Sequence, residues 1–154
     1  GTLAGVDYFA GHLGAEKTRN ATTFVNMAEV AGAPSDVSSG MWLFGLQGAP
    51  VKDLVLRFST YQVPDVLNST YADAAWTTAL PGKSTLRLGA QTIYQSSNGS
   101  NAIGSFSVGY GGVKADLSSG GLTGTLGYNQ TGRGAGLQSP YSCSDSLSAA
   151  GRCY

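Results

Sequence analysis

The chain has 154 residues, with nine Lys plus Arg against nine Asp plus Glu, so its formal net charge is zero. That balance argues against a nucleic-acid partner, which calls for a basic excess. A hydrophobic content of 42%, with 8 Tyr, 5 Phe and 2 Trp, argues against disorder.

Charged residues make up only 12% of the chain and 23 residues are glycine, about twice the usual share of glycine. The apolar residues come in short pieces separated by polar, Gly-rich stretches, the composition of a β-rich extracellular or outer-membrane protein. No apolar run approaches the 18 or so residues of a transmembrane helix. Gly1 opens in mid-pattern with no signal peptide, as expected of a mature chain or one cut from something longer.

In chain order the sequence predicts seven strands. The first covers 2–12 and ends at His12. A long connection follows over 13–40, and within it 21–31 has helical character. Phe24, Met27, Ala28 and Ala31 share one face there, Asn20 or Thr22 supplies a cap, and Gly32 supplies the stop. The second strand is 41–47, followed by a short connection over 48–53. In the third, 54–61, Leu54, Leu56, Phe58 and Thr60 alternate with Val55, Arg57, Ser59 and Tyr61. A long connection, 62–70, leads to the fourth strand, 71–80, and 81–84 is short. The fifth strand, 85–94, alternates Leu86, Leu88, Ala90, Thr92 and Tyr94 with Thr85, Arg87, Gly89, Gln91 and Ile93. After a long connection over 95–105, the apolar phase is even at Phe106, Val108 and Tyr110. It becomes odd at Val113, Ala115 and Leu117, which predicts a bulge or loop end near Gly111-Gly112. The connection 118–121 is short, the seventh strand is 122–130, and 131–154 is a long loop. Cys143 and Cys153 in that loop read as a local disulfide of an oxidising compartment. With His12 as the single histidine, a zinc site is not expected.

Each strand has one apolar and one polar face, and connections alternate short and long. Tight turns at one end and long loops at the other are the signature of an outer-membrane barrel. Tyr61, Tyr71, Tyr94 and Tyr128 fall next to long connections, where an interfacial aromatic girdle lies. The expected fold is therefore all-β: an antiparallel transmembrane β-barrel portion, with 1–154 one segment and 13–40 an extracellular loop. A secreted β-sandwich or solenoid, its apolar faces packed on a second sheet, is the competing reading. Seven strands do not close a membrane barrel, and open edges are not tolerated in lipid, so a larger barrel is implied.

Arg57, Arg87 and Lys114 all fall in the polar register. If the apolar face meets lipid, these cations line the lumen, where a partly desolvated pore strengthens their pull on carboxylates. Asp73 and Asp116 share that register and make the field mixed. The competing reading of the three cations is ordinary solvated residues on a wet sheet face. His12 has no Ser, Asp or Cys constellation in reach and reads as a rim residue. Gly109-Tyr110-Gly111-Gly112 and the run 132–136 lack the Lys-Ser/Thr and the following helix of a phosphate loop. The sequons at Asn20, Asn68, Asn98 and Asn129 are chance-level in so Ser/Thr-rich a chain. No nucleophile–base pair, paired carboxylates or metal cluster can be assembled, so neither an enzyme nor a cofactor is expected.

One family supplies a resemblance. The stretch Tyr61-Gln62-Val63-Pro64-Asp65-Val66-Leu67-Asn68-Ser69-Thr70-Tyr71-Ala72-Asp73-Ala74 is similar to the OprD family of Gram-negative outer-membrane porins. The similarity continues through Trp76, Leu80-Pro81-Gly82 and Leu86-Arg87-Leu88-Gly89-Ala90-Gln91. It extends to Gly112-Val113-Lys114-Ala115-Asp116-Leu117 with Gly120-Gly121-Leu122-Thr123, and to Thr23-Phe24-Val25-Asn26-Met27. The resemblance implies a central portion of an 18-stranded barrel, monomeric or loosely trimeric, in the bacterial outer membrane. It further implies a bilayer partner, passive diffusion of small, often carboxylate-bearing solutes, and a basic lumen ladder onto which Arg57, Arg87 and Lys114 map. The tail from Ser142-Cys143 to Arg152-Cys153-Tyr154 departs from the family pattern, and the eyelet-forming loop is wholly or partly outside the chain. An adhesin-like binding module and a non-conducting structural barrel are the alternatives to a channel.

Overall fold

The computed structural model describes residues 1–3, 5–17, 22–133 and 135–138; Cys143 and Cys153 lie outside them. The elements in chain order are β1 (Thr2–Leu3), β2 (Val6–Leu13), β3 (Ala15–Glu16), β4 (Val25–Asn26), α1 (Met27–Val30), β5 (Met41–Val51), β6 (Leu54–Val63), β7 (Leu67–Leu80), β8 (Ser84–Ser97), β9 (Ser107–Ser119) and β10 (Leu122–Thr131). One eight-stranded sheet runs β1-β2-β5-β6-β7-β8-β9-β10, antiparallel at every step, and β3 and β4 form a small separate pair. No helix among the described residues is long and apolar enough to cross a membrane.

Turn chemistry fixes one end of this meander. The connections 52–53, 81–83 and 120–121 are tight, and each uses the left-handed backbone that closes short hairpins. Asp53 has φ 66°, Gly82 and Lys83 have 76° and 60°, and Gly120 and Gly121 have 58° and 85°. The β1–β2 link, with Gly5 at φ 80°, lies at the same end, because Val6 pairs with Gly48. Residues 14–40, 64–66 and 98–106 connect strands at the opposite end.

The expected long connection over 62–70 is not there. β6 runs on to Val63 and β7 starts at Leu67, leaving Pro64, Asp65 and Val66 as a tight turn. The Asn68, Ser69 and Thr70 that suggested a loop lie within β7.

Three of these connections pack into a cap. Asp65 ties its turn to the 98–106 loop: its carbonyl accepts from Ala102 N–H at 2.8 Å and its Oδ1 from Ser100 N–H at 2.9 Å. Gly99, at φ +58°, is required beside it, because a Cβ there would fall 2.9 Å from Asp65 Cα. Ser39 Oγ donates to the Pro64 carbonyl at 3.0 Å and so fastens the 14–40 loop to the same turn. Within that loop α1 is shorter than the predicted helix, and its cap is Asn26, not Asn20 or Thr22. The Asn26 side chain accepts from Glu29 N–H at 3.0 Å, while Gly32 at φ 93° ends the turn. Phe24 precedes the helix and is exposed.

The buried cluster is Met27, Ala28, Ala31 and Ala33 from this loop against Met41, Val63, Val66 and Leu67, with Leu13, Leu43, Tyr61, Ile103 and Phe106 around it. Cross-strand partners share a face, and Leu13, Met41, Val63 and Leu67 stand on the face that carries Arg57. The cap therefore closes over the Arg57 face at the loop end.

That packing overturns two expectations. No bulge or loop end falls at Gly111-Gly112: β9 pairs without a register shift from Ser107 to Ser118 with β8. Val108 and Tyr110 stand on the same face as Lys114 and Asp116, and they are apolar because that face is buried near the loops. Tyr61 and Tyr71 likewise lie on the Arg57 face rather than in an outer girdle. Tyr94 and Tyr128 are on the opposite face, exposed at 55% and 63%.

Candidate functional site: the charged inner rows

The face opposite the cap is apolar and uncovered. Trp42, Phe44, Leu46, Leu56, Phe58, Trp76, Leu88, Val113, Leu117 and Leu126 are all exposed on it. An apolar surface this extensive is foreign to a water-facing monomer, and no second sheet covers it among the described residues. Two of its hydroxyls are satisfied from within: Thr60 Oγ1 donates to the Ser69 carbonyl and Thr92 Oγ1 to the Tyr110 carbonyl, each at 3.0 Å. Such self-satisfaction is what a lipid-facing wall demands.

The Arg57 face changes character along the strands. The charged row nearest the tight turns is Thr77, Arg87, Asp116 and Thr125. The next row is Val55, Ala75, Gly89, Lys114 and Gly127, and the one after it is Gln47, Arg57, Asp73, Gln91 and Gly112. Rows on one face are about 6.6 Å apart, two residues of strand rise. The three cations predicted from sequence thus occupy three successive rows in the turn-ward half of the wall.

Their surroundings differ. Arg57 Nη1 donates to Asp73 Oδ2 at 2.9 Å and Nε to Gln47 Oε1 at 2.9 Å. The Arg57 side chain is 37% exposed and that of Asp73 only 5%, so the acid is held in the wall and the guanidinium stays half in the open. Asp73 Oδ1 is buried with no hydrogen-bond partner among the described residues. Lys114 Nζ lies 3.2 Å from Asp116 Oδ2, and Thr125 Oγ1 donates to Asp116 Oδ1 at 2.7 Å. Arg87 stands directly across from Asp116 but makes no ion-pair contact among the described residues. Asp73 therefore compensates Arg57 directly, while Asp116 pairs with Lys114 and also lies within electrostatic reach of Arg87 opposite it.

Glutamines complete the face. Gln91 Nε2 donates to Tyr110 Oη at 3.0 Å, and Gly112 makes room, since a Cβ there would lie 3.1 Å from that oxygen. Alternation put Gln91 on the polar face. Gln95 was hidden because the predicted strand stopped at Tyr94, whereas β8 runs on to Ser97. His12 lies on the outer face against Trp42, with ring centroids 4.5 Å apart.

No protein-family model matches the chain, and no curated protein matches it. Solved structures do. The chain is similar to OpdK of Pseudomonas aeruginosa, crystallised with vanillate, at TM-score 0.79 and 22% identity, over 89% of this chain and 36% of that one. OpdL of the same organism matches at TM-score 0.77 and 18% identity, over 88% and 37%. OccAB2 of Acinetobacter baumannii matches at 0.74 and 15%, over 84% and 34%. The fold is that of the wall of these outer-membrane proteins. The chain spans little more than a third of the length of these proteins.

Proposed function

We propose that the chain is part of an outer-membrane porin that lets small carboxylate-bearing solutes diffuse passively along Arg57, Arg87 and Lys114. The observation that carries the reading is the juxtaposition of two faces on one set of strands. One is uncovered and apolar; the other holds three successive rows of charge. A lipid-facing outside and a wet lumen account for both. The wall fold is that of barrels solved with carboxylates, vanillate in OpdK and glucuronate in OccK2. Channel function, location in the outer membrane, a monomeric or loosely trimeric state and the absence of enzymatic chemistry all belong to this proposal.

The mechanism is electrostatic. A carboxylate in the lumen passes cations stacked at about 6.6 Å intervals, close enough to be handed from one to the next. Asp73 and Asp116 lower the net field, so an anion is attracted without being trapped, as conduction requires. Arg87 contributes most, because it alone of the three makes no direct ion pair among the described residues.

The test is electrical. In planar bilayers the barrel protein containing this chain should conduct in discrete steps. Arg87→Gln should shift the reversal potential in a salt gradient toward cation selectivity and lower carboxylate flux about two- to fivefold, as expected for a cation worth roughly 0.5–1 kcal/mol. Arg57→Gln should shift selectivity less, because Asp73 already neutralises that guanidinium. It should instead destabilise the wall by about 2 kcal/mol, short of a fully buried pair because Arg57 is half exposed. A double Arg57→Gln, Arg87→Gln variant with unchanged reversal potential and carboxylate flux contradicts the assignment.

A further inference from the structure

Above the charged rows, on the same face, Gln95 is fully buried. It stands in the row of Tyr61, Ser69 and Val108, four residues along β8 from Gln91, or about 13 Å toward the loop end. Its amide is used on both sides. Nε2 donates to Tyr61 Oη at 3.0 Å and to the Gln138 carbonyl at 3.1 Å, and Oε1 accepts from Gln138 N–H at 2.7 Å. The pair of bonds to Gln138 repeats the way one peptide group joins another in a sheet. A wall side chain thus serves as the rung for a segment that is not a strand. Gly132 N–H donates to the Gly109 carbonyl at 2.6 Å, which continues the β9–β10 register one residue beyond Thr131. Gln138 Nε2 donates to the Gly136 carbonyl at 2.9 Å and stiffens the segment internally.

The connectivity places residues 135–138 over the Arg57 face of β8, two strands in from β10. We infer that this segment is a fixed ledge narrowing the passage above the charged rows, and that Gln95 is the positioning residue that sets its height. A buried amide is stable only where its donors and acceptor are matched, and the ledge supplies two of the three matches. The inference rests on the porin reading, because a ledge has a width to set only if the face lines a pore.

Two variants test it in the barrel protein containing this chain, reconstituted in planar bilayers. Gln95→Ala deletes all three bonds from the wall side. Gln138→Pro deletes the N–H that Gln95 accepts and leaves every wall residue in place. Both should raise single-channel conductance about 1.5- to 2-fold, because current follows the open cross-section, and both should add current noise. Heat-modifiable gel migration should stay at the parent value. If Gln95→Ala does not fold, Gln138→Pro decides alone. Folded variants that conduct at the parent level overturn the ledge. A parent protein that does not conduct at all overturns the porin reading instead.

Discussion

Leu56→Arg should destabilise the barrel by about 2–4 kcal/mol, whereas Val55→Arg, one residue away, should cost less than about 1 kcal/mol. Leu56 is exposed at 42% and pairs with Gly48 and Ala74 on the uncovered apolar face. In water, an arginine at an exposed leucine would cost little. In a bilayer it must leave solvent, and no acid on that face is within its row to pair with it. Val55 points the other way, into the row of Lys114, where the inner face already accommodates charge. The contrast is therefore diagnostic, because equal effects at both sites would mean that the outer face is wet. Denaturant titration of the barrel in detergent or lipid, followed by gel migration, reads the difference directly.

Met27→Ala is the second large effect. Met27 is fully buried and is the largest α1 side chain in the cluster that holds Met41, Val63 and Leu67 of the wall. Methionine-to-alanine truncation in a packed core costs about 2–5 kcal/mol. Here the loss should appear as local opening, because the strand ladder does not run through α1. The Ala28 amide, hydrogen-bonded to the Ser39 carbonyl at 3.1 Å, should exchange about 30-fold faster or more, the equivalent of roughly 2 kcal/mol. Amides of β6 and β7 should exchange as before. Acceleration in those strands as well would mean that the cap is part of the barrel's own stability.

Alternation over 54–60 and 85–94 placed two central strands and both of their faces, since each residue there meets either an apolar or a polar surrounding. It failed where a third surrounding intervenes. Tyr61 and Val63 are apolar yet stand on the inner face, because the 14–40 loop dries that face near one end; Val108 and Tyr110 are buried on the same face outside that cluster. Strand-local sequence cannot announce such long-range packing. The apparent phase change at Gly111-Gly112 was therefore a change of environment along an unbroken strand. The predicted connection 62–70 failed for a simpler reason: polar Asn68, Ser69 and Thr70 look loop-like, yet the inner face buries Ser69 against Gln95. The charged positions were legible because ionisable side chains in an alternating strand have one place to go. What they pair with depended on cross-strand register, and the Gln95–Gln138 contact joins residues 43 apart, beyond any local pattern.

The central claim is that β6 divides lipid from lumen, with a dry cap at one end. A spin-label scan tests it most directly. Each residue from Leu54 to Val63 is replaced in turn by a labelled cysteine, with Cys143 and Cys153 changed to serine, and the barrel is reconstituted in lipid. Collision with oxygen reports lipid contact and collision with a water-soluble nickel chelate reports the lumen. Labels at 54, 56 and 58 should favour oxygen, labels at 55, 57 and 59 the chelate, and labels at 61 and 63 should be shielded from both. Chelate access at 54, 56 and 58 would invert the register and contradict the account.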